Sequence, residues 1–260
     1  MADVILDIQN AVKRFGGLTA VNRVSTAIRR GEIRALIGPN GSGKTTLLNV
    51  ISGIYAPEEG AILFEGAPIQ GLFPYGVAWR GISRTFQNIR LFGNLSVIKN
   101  VMIGAHIQGK AGILQAILFP KHTREEEQKL RNKAESCLGF VGLEIDTAVK
   151  AASLSYGQRR LLEVARALAS DPRLILLDET AAGLNPQEKR HLIDIIRKIR
   201  DKGITVLFVE HDMGVVMSVS DRITVLNFGS KIAEGTPDEI KTNQLVLEAY
   251  LGKENYAEVE

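Results

Sequence analysis

The stretch GPNGSGKTT, which runs from Gly38 to Thr46, decides the fold of this chain. It fits the phosphate-binding pattern G-x-x-x-x-G-K-[ST]. Because this motif acts through backbone N–H groups at a helix N-terminus, it needs a strand before it and a helix after it. Both flanks are readable: residues 33–37 form an apolar run typical of a buried strand, and residues 45–52 (TTLLNVIS) predict a helix. The stretch therefore predicts a phosphate-binding loop within an α/β fold.

Each residue type in the loop has a chemical role in binding phosphate. Glycines let the chain bend and approach phosphate oxygens closely. Lys44 adds a mobile positive charge for the outer phosphates, and the hydroxyl of Thr45 can ligate Mg²⁺. A glycine-rich turn without a ligand is the alternative, and the correct flanks disfavour it. The residues predicted to bind nucleotide here are Gly38, Asn40, Gly41, Ser42, Gly43, Lys44, Thr45 and Thr46.

Composition limits the classes of function. At 260 residues and 45% hydrophobic, the chain can bury a core in one large domain or in two closely joined lobes. Lys and Arg total 32 against 29 acidic residues, and this balance gives no argument for a nucleic-acid partner. A single cysteine, Cys137, excludes an internal disulfide framework and suits a reducing cytoplasm.

Neither an export signal nor a membrane-spanning segment is visible in the sequence. The first residues include Asp3 and pass directly into strand-like alternation. The most apolar segment outside the strands, residues 111–119 (AGILQAILF), is far shorter than the roughly 20 residues that span a bilayer. We therefore expect a protein that stays in the cytoplasm and reaches a membrane only through a partner.

The order of apolar runs predicts three structural parts. Residues 4–37 alternate short apolar runs with turns, which is typical of antiparallel strands leading into the phosphate loop. From residue 88 to residue 150 the strand signals fade and charge rises, so we expect an inserted helical lobe. From residue 161 onward, helices and strands alternate, which predicts a mostly parallel sheet with crossover helices.

For two helices, the sequence predicts where each one begins and ends. Residues 123–138 predict a helix, and Thr123 and Glu126 at its start have the spacing of a capping box. Residues 237–251 predict one closing helix.

Two acidic residues follow the apolar strand LILL at positions 174–177. Asp178 and Glu179 would therefore lie at the carboxyl edge of the parallel sheet, where open α/β folds bind ligands. One carboxylate can hold the Mg²⁺ shell, and the other can polarise a water for attack on a terminal phosphate. A helix-capping acid pair is the alternative, which the phosphate loop elsewhere in the chain disfavours.

The segment LSYGQ, from Leu154 to Gln158, precedes a helical run. Ser155 and Gly157 would lie at a helix N-terminus, which suits an anion, although no lysine accompanies them. Taken alone, the segment is typical of an N-cap with a flexible turn.

The ordered set of motifs resembles the ATPase cassette of ATP-binding-cassette (ABC) transporters. LSYGQ lies between the phosphate loop and LILLDE, Gln87 comes before it, and His211 follows a later strand. The resemblance covers nearly the whole chain and implies a P-loop NTPase (RecA-like) core with a mostly parallel sheet, an antiparallel β lobe and an inserted helical lobe. Its expected parts within a single domain, 1–260, are a catalytic core with the β lobe, 4–87 and 160–252, and a helical lobe, 88–159, that carries LSYGQ.

The resemblance implies how the nucleotide and its metal are held. Phe15 matches the aromatic residue that stacks on adenine, and Ala20 would line the same pocket. Thr45, Gln87 and Asp178 match the residues associated with Mg²⁺. The implied cofactors are therefore ATP and Mg²⁺.

The resemblance also implies catalytic roles and a partner subunit. Glu179 matches the catalytic base, His211 matches the switch histidine that reaches the γ-phosphate, and Lys44 would bind the outer phosphates. In similar proteins two cassettes pack head to tail around two ATP molecules. The segment that would close over the ATP of the opposite subunit consists of Ser155, Gly157 and Gln158.

The partners implied by the resemblance are transmembrane permease subunits, a second ATPase cassette that is either a paralogue or a copy of this chain, and indirectly a periplasmic binding protein. No nucleic acid is among them. The implied location is peripheral, on the cytoplasmic face of the inner (plasma) membrane.

The segment after Glu179 departs from the common family pattern. The family commonly has proline where this chain has Thr180, and aspartate where it has Asn185. The AGLNP form resembles the subgroup that serves amino-acid uptake. The segments KRFGGLTAVN, SRTFQNIRLFGNLSVIKNV and EGTPDEI are similar to cassettes of bacterial branched-chain (hydrophobic) amino-acid importers. Thr180 has no such explanation and leaves the geometry beside Glu179 open.

The region 80–106 is where similar cassettes meet a short cytoplasmic helix of the permease. Its apolar residues can line that groove or pack inside the lobe, and the sequence favours neither. They are Phe86, Ile89, Leu91, Phe92 and Leu95.

The leading hypothesis is an ATP-hydrolysing subunit that energises an importer of branched-chain or related hydrophobic amino acids. Export of lipid or lipopolysaccharide is an alternative, since cargo contacts lie in other subunits. A soluble cassette ATPase acting on nucleic acid or ribosomes is another. Such proteins usually carry two cassettes or long coiled-coil insertions, and the sequence contains neither.

Overall fold

The computed structural model describes residues 3–106 and 120–251, so the apolar segment 111–119 lies outside it. Within the described ranges, no helix is both long enough and apolar enough to cross a membrane. The strands are β1 (Val4–Phe15), β2 (Leu18–Arg29), β3 (Ile33–Ile37), β4 (Glu59–Phe64), β5 (Ala67–Pro68), β6 (Ile82–Arg84), β7 (Leu174–Asp178), β8 (Thr205–Val209), β9 (Arg222–Asn227) and β10 (Ser230–Gly235). The helices are α1 (Lys44–Ile51), α2 (Pro74–Trp79), α3 (Val97–Ala105), α4 (Pro120–Phe140), α5 (Tyr156–Leu168), α6 (Pro186–Asp201), α7 (Met213–Val219), α8 (Pro237–Lys241) and α9 (Gln244–Leu251).

A four-stranded antiparallel sheet forms the predicted β lobe, with the strand order β2-β1-β4-β5. Its two long strands, β1 and β2, form a hairpin in which Phe15 pairs with Leu18 across the Gly16-Gly17 turn. Gly16 has a φ of 57°, a left-handed conformation that glycine adopts without strain. The hairpin therefore presents Phe15 at one end of the lobe.

A six-stranded sheet forms the core, with the order β10-β9-β3-β8-β7-β6. Its pairings are parallel except for the edge strand β10, which pairs antiparallel with β9. The central strands β3, β7 and β8 are buried at every residue, because other layers cover both faces of the sheet. This confirms the mostly parallel core predicted from the alternation of helices and strands.

Strand β7 divides its side chains between the two halves of the core. Ile175 and Leu177 belong to the hydrophobic cluster shared with helices α3 to α7, whereas Leu174 and Leu176 belong to the cluster shared with α1 and the antiparallel sheet. Successive side chains of a strand point to opposite faces, so one apolar run serves both clusters. The parallel sheet is therefore the central layer of the molecule.

A buried ionic group joins the two sheets. Arg34 on β3 is paired with Glu32 at 2.6 Å and with Glu234 on β10 at 2.7 Å. Thr26 on β2 donates its hydroxyl to Glu234 at 3.1 Å. Burial by itself would raise the pKa of Glu234, but Arg34 and Lys231 lower it to about 2. The antiparallel lobe is thus fastened to the edge of the parallel sheet.

Two predicted helix ends are wrong. The helix predicted to be capped at Thr123 begins at Pro120, so Thr123 lies inside it. Proline is tolerated in the first turn of a helix because the N–H groups of that turn have no partner within the helix. The closing helix predicted over residues 237–251 is two helices, α8 and α9. The break occurs because Asn243 turns its side chain onto the backbone, accepting the N–H of Val246 at 3.3 Å.

Helix α5 begins at Tyr156 with Ser155 as its N-cap, in agreement with the helix N-terminus predicted at Ser155 and Gly157. It is continuous across residues 159 and 160, where we place the limit between the helical lobe and the core. The domain limits themselves stay a prediction.

Candidate functional site

The phosphate loop joins β3 to α1, and close packing requires two of its glycines, Gly38 and Gly43. Gly43 has a φ of 99°, and a Cβ there would lie 2.3 Å from the backbone oxygen of Ala20. A Cβ on Gly38 would lie 2.0 Å from the backbone oxygen of Leu226. Any side chain at either position would therefore push the loop away from β2 or β9.

The side chain of Lys44 is held inside the loop. Its Nζ donates to the backbone oxygens of Gly38 at 2.8 Å and Pro39 at 2.9 Å, and the residue is 6% exposed. Burial lowers the pKa of Lys44, while the carboxylates of Glu179 and Asp178 raise it. The loop therefore fixes the position of a desolvated positive charge at the start of α1.

A cavity of about 490 Å³ opens over this loop. It brings together most of the residues that the sequence predicts, from the β lobe, the loop and three other strand ends. The predicted residues that line it are Phe15, Ala20, Asn40, Gly41, Ser42, Gly43, Lys44, Thr45, Thr46, Gln87, Glu179 and His211.

Phe15 forms one wall of the cavity and is 42% exposed. Tyr55 meets its ring edge to face, with centroids 5.1 Å apart. The Nζ of Lys13 lies 5.3 Å from the ring centroid. These neighbours hold the ring while much of its surface stays accessible, as stacking on a planar ligand requires.

Glu179 is the meeting point of three chain segments. Its Oε2 accepts a hydrogen bond from Nε2 of Gln87 at 2.8 Å, and its Oε1 lies 2.9 Å from Nε2 of His211. The Glu179 side chain is 13% exposed, against 44% for His211. The carboxylate is therefore oriented by both neighbours at the wall of the cavity.

The backbone of Glu179 is strained. Its φ is 48°, a left-handed conformation that costs a residue with a side chain about 1–2 kcal/mol. Two hydrogen bonds hold the turn: the N–H of Glu179 donates to the oxygen of Val209 at 2.9 Å, and the N–H of Ala181 donates to Oε1 of Glu210 at 2.6 Å. Strain of this kind persists only where surrounding contacts enforce it.

Glu210 precedes His211 in the sequence and is a buried acid, 5% exposed. Burial, together with the nearby charge of Glu179, raises its pKa to about 7, although the N–H of Ala181 opposes the shift. A group with this pKa changes its protonation state near neutral pH.

Asp178 lies beneath the cavity wall and is 1% exposed. Its Oδ2 pairs with Nη2 of Arg84 at 2.8 Å, and its Oδ1 is buried without a hydrogen-bond partner among the described residues. The described residues contain no group of three or more His, Cys, Asp or Glu suited to a metal. Mg²⁺ is commonly held by one or two carboxylates together with substrate phosphates, so a buried Asp178 oxygen without a hydrogen-bond partner among the described residues fits that ion.

The segment LSYGQ lies outside the lining of the cavity. Ser155 caps helix α5 by accepting the N–H of Gln158 at 3.3 Å, and the Gln158 side chain accepts the N–H of Ser155 at 3.0 Å. A Cβ on Gly157 would lie 2.3 Å from Oε1 of Glu188, so a side chain there would displace the Glu188 carboxylate on α6. Within this one chain, the segment is a capped helix start, and Ser155 itself is exposed.

Sequence reasoning missed four residues of the site. Arg84 pairs with Asp178, and Glu210 supports the Glu179 turn. Tyr55 supports Phe15, and Phe228, which is 87% exposed, lines the cavity mouth. One signal was available, because Phe228 precedes a glycine at a hairpin turn as Phe15 does. The other three depend on contacts between distant segments.

A second groove, of about 310 Å³, lies between α2, β6 and α3. Phe86 and Phe92 line it, whereas Leu91 packs against the core cluster. Phe86 and Phe92 are thus open to a groove and Leu91 packs inside the lobe, while the docking of a permease helix in this groove stays a prediction. Two aromatic residues of α2, Tyr75 and Trp79, are 74% and 67% exposed.

Comparison with known proteins agrees with this geometry. Residues 21–182 match the family described as ABC transporter, and residues 230–255 match the one described as branched-chain amino acid ATP-binding cassette transporter. The high-affinity branched-chain amino acid transport ATP-binding protein LivG of Salmonella typhimurium is 41% identical over 254 residues, which cover 97% of this chain and 100% of LivG.

Solved structures extend the comparison. A nucleotide-free ATP-binding cassette from an ABC transporter superposes with a TM-score of 0.84 at 35% identity, covering 96% of this chain and 100% of that one. A dimeric, post-hydrolysis ATP-binding cassette bound to ADP and phosphate superposes with a TM-score of 0.77 at 27% identity, covering 89% and 98%. On this evidence of sequence and structure, the chain belongs to the ABC transporter family, as one of its ATP-hydrolysing ATP-binding cassettes.

Proposed function

We propose that this chain energises an importer of branched-chain or related hydrophobic amino acids by hydrolysing ATP. The observation that carries the ATPase site is the single cavity in which Lys44, Gln87, Glu179 and His211 meet. The cargo is supported by the likeness to LivG over nearly the whole chain and by the family match at residues 230–255.

In this proposal Phe15 stacks on the adenine and the loop amides hold the phosphates. Lys44 neutralises charge on the outer phosphates. Glu179 accepts the proton of the attacking water, while His211 donates a hydrogen bond to the γ-phosphate and keeps the Glu179 carboxylate in place. Gln87 orients the same carboxylate from the opposite side.

We assign Mg²⁺ to Thr45, Gln87 and Asp178. The support is the buried Oδ1 of Asp178, which has no partner among the described residues, and the place of Thr45 and Gln87 on the cavity wall. When bound, the ion would neutralise charge on the phosphate oxygens. Arg84 holds the other oxygen of Asp178 and so orients its free oxygen.

The site is completed by a second cassette packed head to tail, either a paralogue or a copy of this chain. Ser155, Gly157 and Gln158 of one subunit would then face the phosphates in the cavity of the other. Two features support this: the capped, exposed N-terminus of α5 points to an anion from outside the chain, and a related cassette is known as a dimer.

The remaining partners are permease subunits and, through them, a periplasmic amino-acid-binding protein. The groove lined by Phe86 and Phe92 and the exposed rings of Tyr75 and Trp79 suit a short permease helix. The protein would then lie peripherally on the cytoplasmic face of the inner membrane. We assign no role to nucleic acid.

Uptake in reconstituted vesicles tests this function. The chain would be tagged, purified with its native membrane partners, placed in proteoliposomes and supplied with leucine or a lipid as cargo. We expect ATP-dependent leucine accumulation that is lost in a complex carrying Glu179→Gln. ATP-dependent movement of lipid without leucine would instead establish the export alternative.

A further inference from the structure

Thr180 follows the proposed base directly and is buried, with 1% of its surface exposed. Its Oγ1 lies 3.3 Å from Oγ1 of Thr85, which is 0% exposed. Among the described residues, Thr180 Oγ1 has no other hydrogen-bond partner, so Thr85 satisfies its hydroxyl. A proline at position 180 could not make this link, since it has no hydroxyl.

Thr85 belongs to the segment that leads from β6 to Gln87. Its Oγ1 also accepts the N–H of Asp178 at 3.1 Å, and its own N–H donates to the oxygen of Leu176 at 2.9 Å. Thr85 is therefore attached to β7 at its backbone and its side chain. Because a hydroxyl oxygen has two lone pairs, Thr85 Oγ1 can form hydrogen bonds with the Asp178 N–H and the Thr180 hydroxyl at the same time.

These contacts close a ring around the base. Gln87 donates to the carboxylate of Glu179 at 2.8 Å, Glu179 is joined covalently to Thr180, and Thr180 returns to Thr85, two residues before Gln87. The hydroxyl pair thus sets the separation of the two segments that the Gln87 side chain bridges. A change in that separation would move the Glu179 carboxylate, whose backbone is already in the left-handed region.

We propose that Thr85 and Thr180 form a positioning pair, which holds the carboxylate of Glu179 at its place beside Gln87 and His211. The inference rests on the proposed role of Glu179 as the base. Neither threonine lines the cavity, so the pair acts through Glu179 rather than on the nucleotide.

The test compares isosteric and conservative variants in steady-state ATP hydrolysis by the purified chain. Thr180→Val keeps the branched shape and removes the hydroxyl, and we expect kcat to fall about tenfold while KM for ATP stays within about twofold, because misplacing a catalytic group costs rate rather than binding. Thr180→Ser keeps the hydroxyl and should retain a kcat within about twofold of wild type. In a chain that already carries Thr85→Val, adding Thr180→Val should cause little further loss, since the two residues act as one link.

Thr205→Val is the matched control. Thr205 is a buried threonine whose hydroxyl accepts the N–H of Gly31 at 2.9 Å, at the other end of β8. Its loss should lower the melting temperature and leave kcat unchanged. If Thr180→Val does not fold, Thr180→Ala takes its place in the comparison with Thr180→Ser.

A folded Thr180→Val or Thr180→Ala chain with wild-type kcat, or an equal loss in Thr180→Ser, overturns the positioning role. If either occurs while Glu179→Gln abolishes turnover, the proposed function stands and only this inference fails. If Glu179→Gln hydrolyses ATP at the wild-type rate, the base assignment fails and the inference fails with it.

Discussion

The Nε2 of His211 lies 2.9 Å from Oε1 of Glu179, and these two side chains come from the ends of neighbouring strands, β8 and β7. The contact leaves His211 partly exposed toward the cavity while Glu179 is mostly buried. A histidine in this position can hold the carboxylate and also reach a ligand. Substituting Glu179 and His211 one at a time can therefore distinguish the role of each side chain.

Glu179→Gln should abolish turnover and leave ATP binding intact. Glutamine keeps the size of the side chain but cannot take a proton, and loss of a general base commonly lowers the rate about 10²- to 10⁴-fold. Phosphate release measures the rate, and size-exclusion chromatography with ATP should show a trapped dimer. Glu144→Gln, at an exposed glutamate, is the control. Wild-type hydrolysis by Glu179→Gln would show that another group is the base.

Lys44→Ala should weaken ATP binding itself. The ammonium is already desolvated and aimed by the Gly38 and Pro39 oxygens, so its loss removes a charge-assisted contact that corresponds to about 10- to 100-fold in affinity. Titration with a fluorescent ATP analogue measures this, and Lys129→Ala on the exposed face of α4 is the control. Unchanged affinity in Lys44→Ala would count against phosphate binding by the loop.

Phe15→Ala should raise KM for ATP by about tenfold, because base stacking on an aromatic ring contributes about 1–3 kcal/mol. Phe15→Tyr should bind ATP like the wild type, since it retains the ring. The readout is KM for ATP compared with KM for GTP. Equal effects of the two substitutions would show that the ring itself is not the contact.

Glu210→Gln should change how stability depends on pH. The pKa of Glu210 is raised from an ordinary 4.5 to about 7 in the folded chain, so the folded state favours the protonated acid. The contribution of Glu210 to the free energy of unfolding is fully present below pH 4.5 and is lost as the pH rises through 7. The loss amounts to about 3 kcal/mol. Glutamine keeps an acceptor for the Ala181 N–H and does not titrate.

Urea unfolding at pH 5 and pH 8 measures this difference. The Glu210→Gln chain should gain stability relative to wild type at pH 8, with Glu144→Gln as the non-buried comparison. Parallel pH curves for wild type and Glu210→Gln would contradict a raised pKa at this site.

The substitution of Thr180 for the common proline shows where sequence reasoning reached its limit. The sequence identified the departure beside Glu179 but offered no partner for the hydroxyl. The partner is Thr85, which lies 95 residues earlier in the chain. Such a contact follows from β6 pairing with β7, and strand order is not encoded in the periodicity of either strand.

The sequence by itself determined the phosphate loop, the acidic pair after β7, the helix start at Ser155 and the mostly parallel core. These features depend on short spacing along the chain, where residue type sets backbone conformation and hydrophobic pattern directly. Tertiary structure alone decided that Gln87 and His211 hold the two oxygens of Glu179, that Arg84 occupies one oxygen of Asp178, and that the Ser155 segment lies away from its own chain's cavity. Those relationships join segments up to 94 residues apart, and they exist only once the parallel strands align their carboxyl ends at one edge.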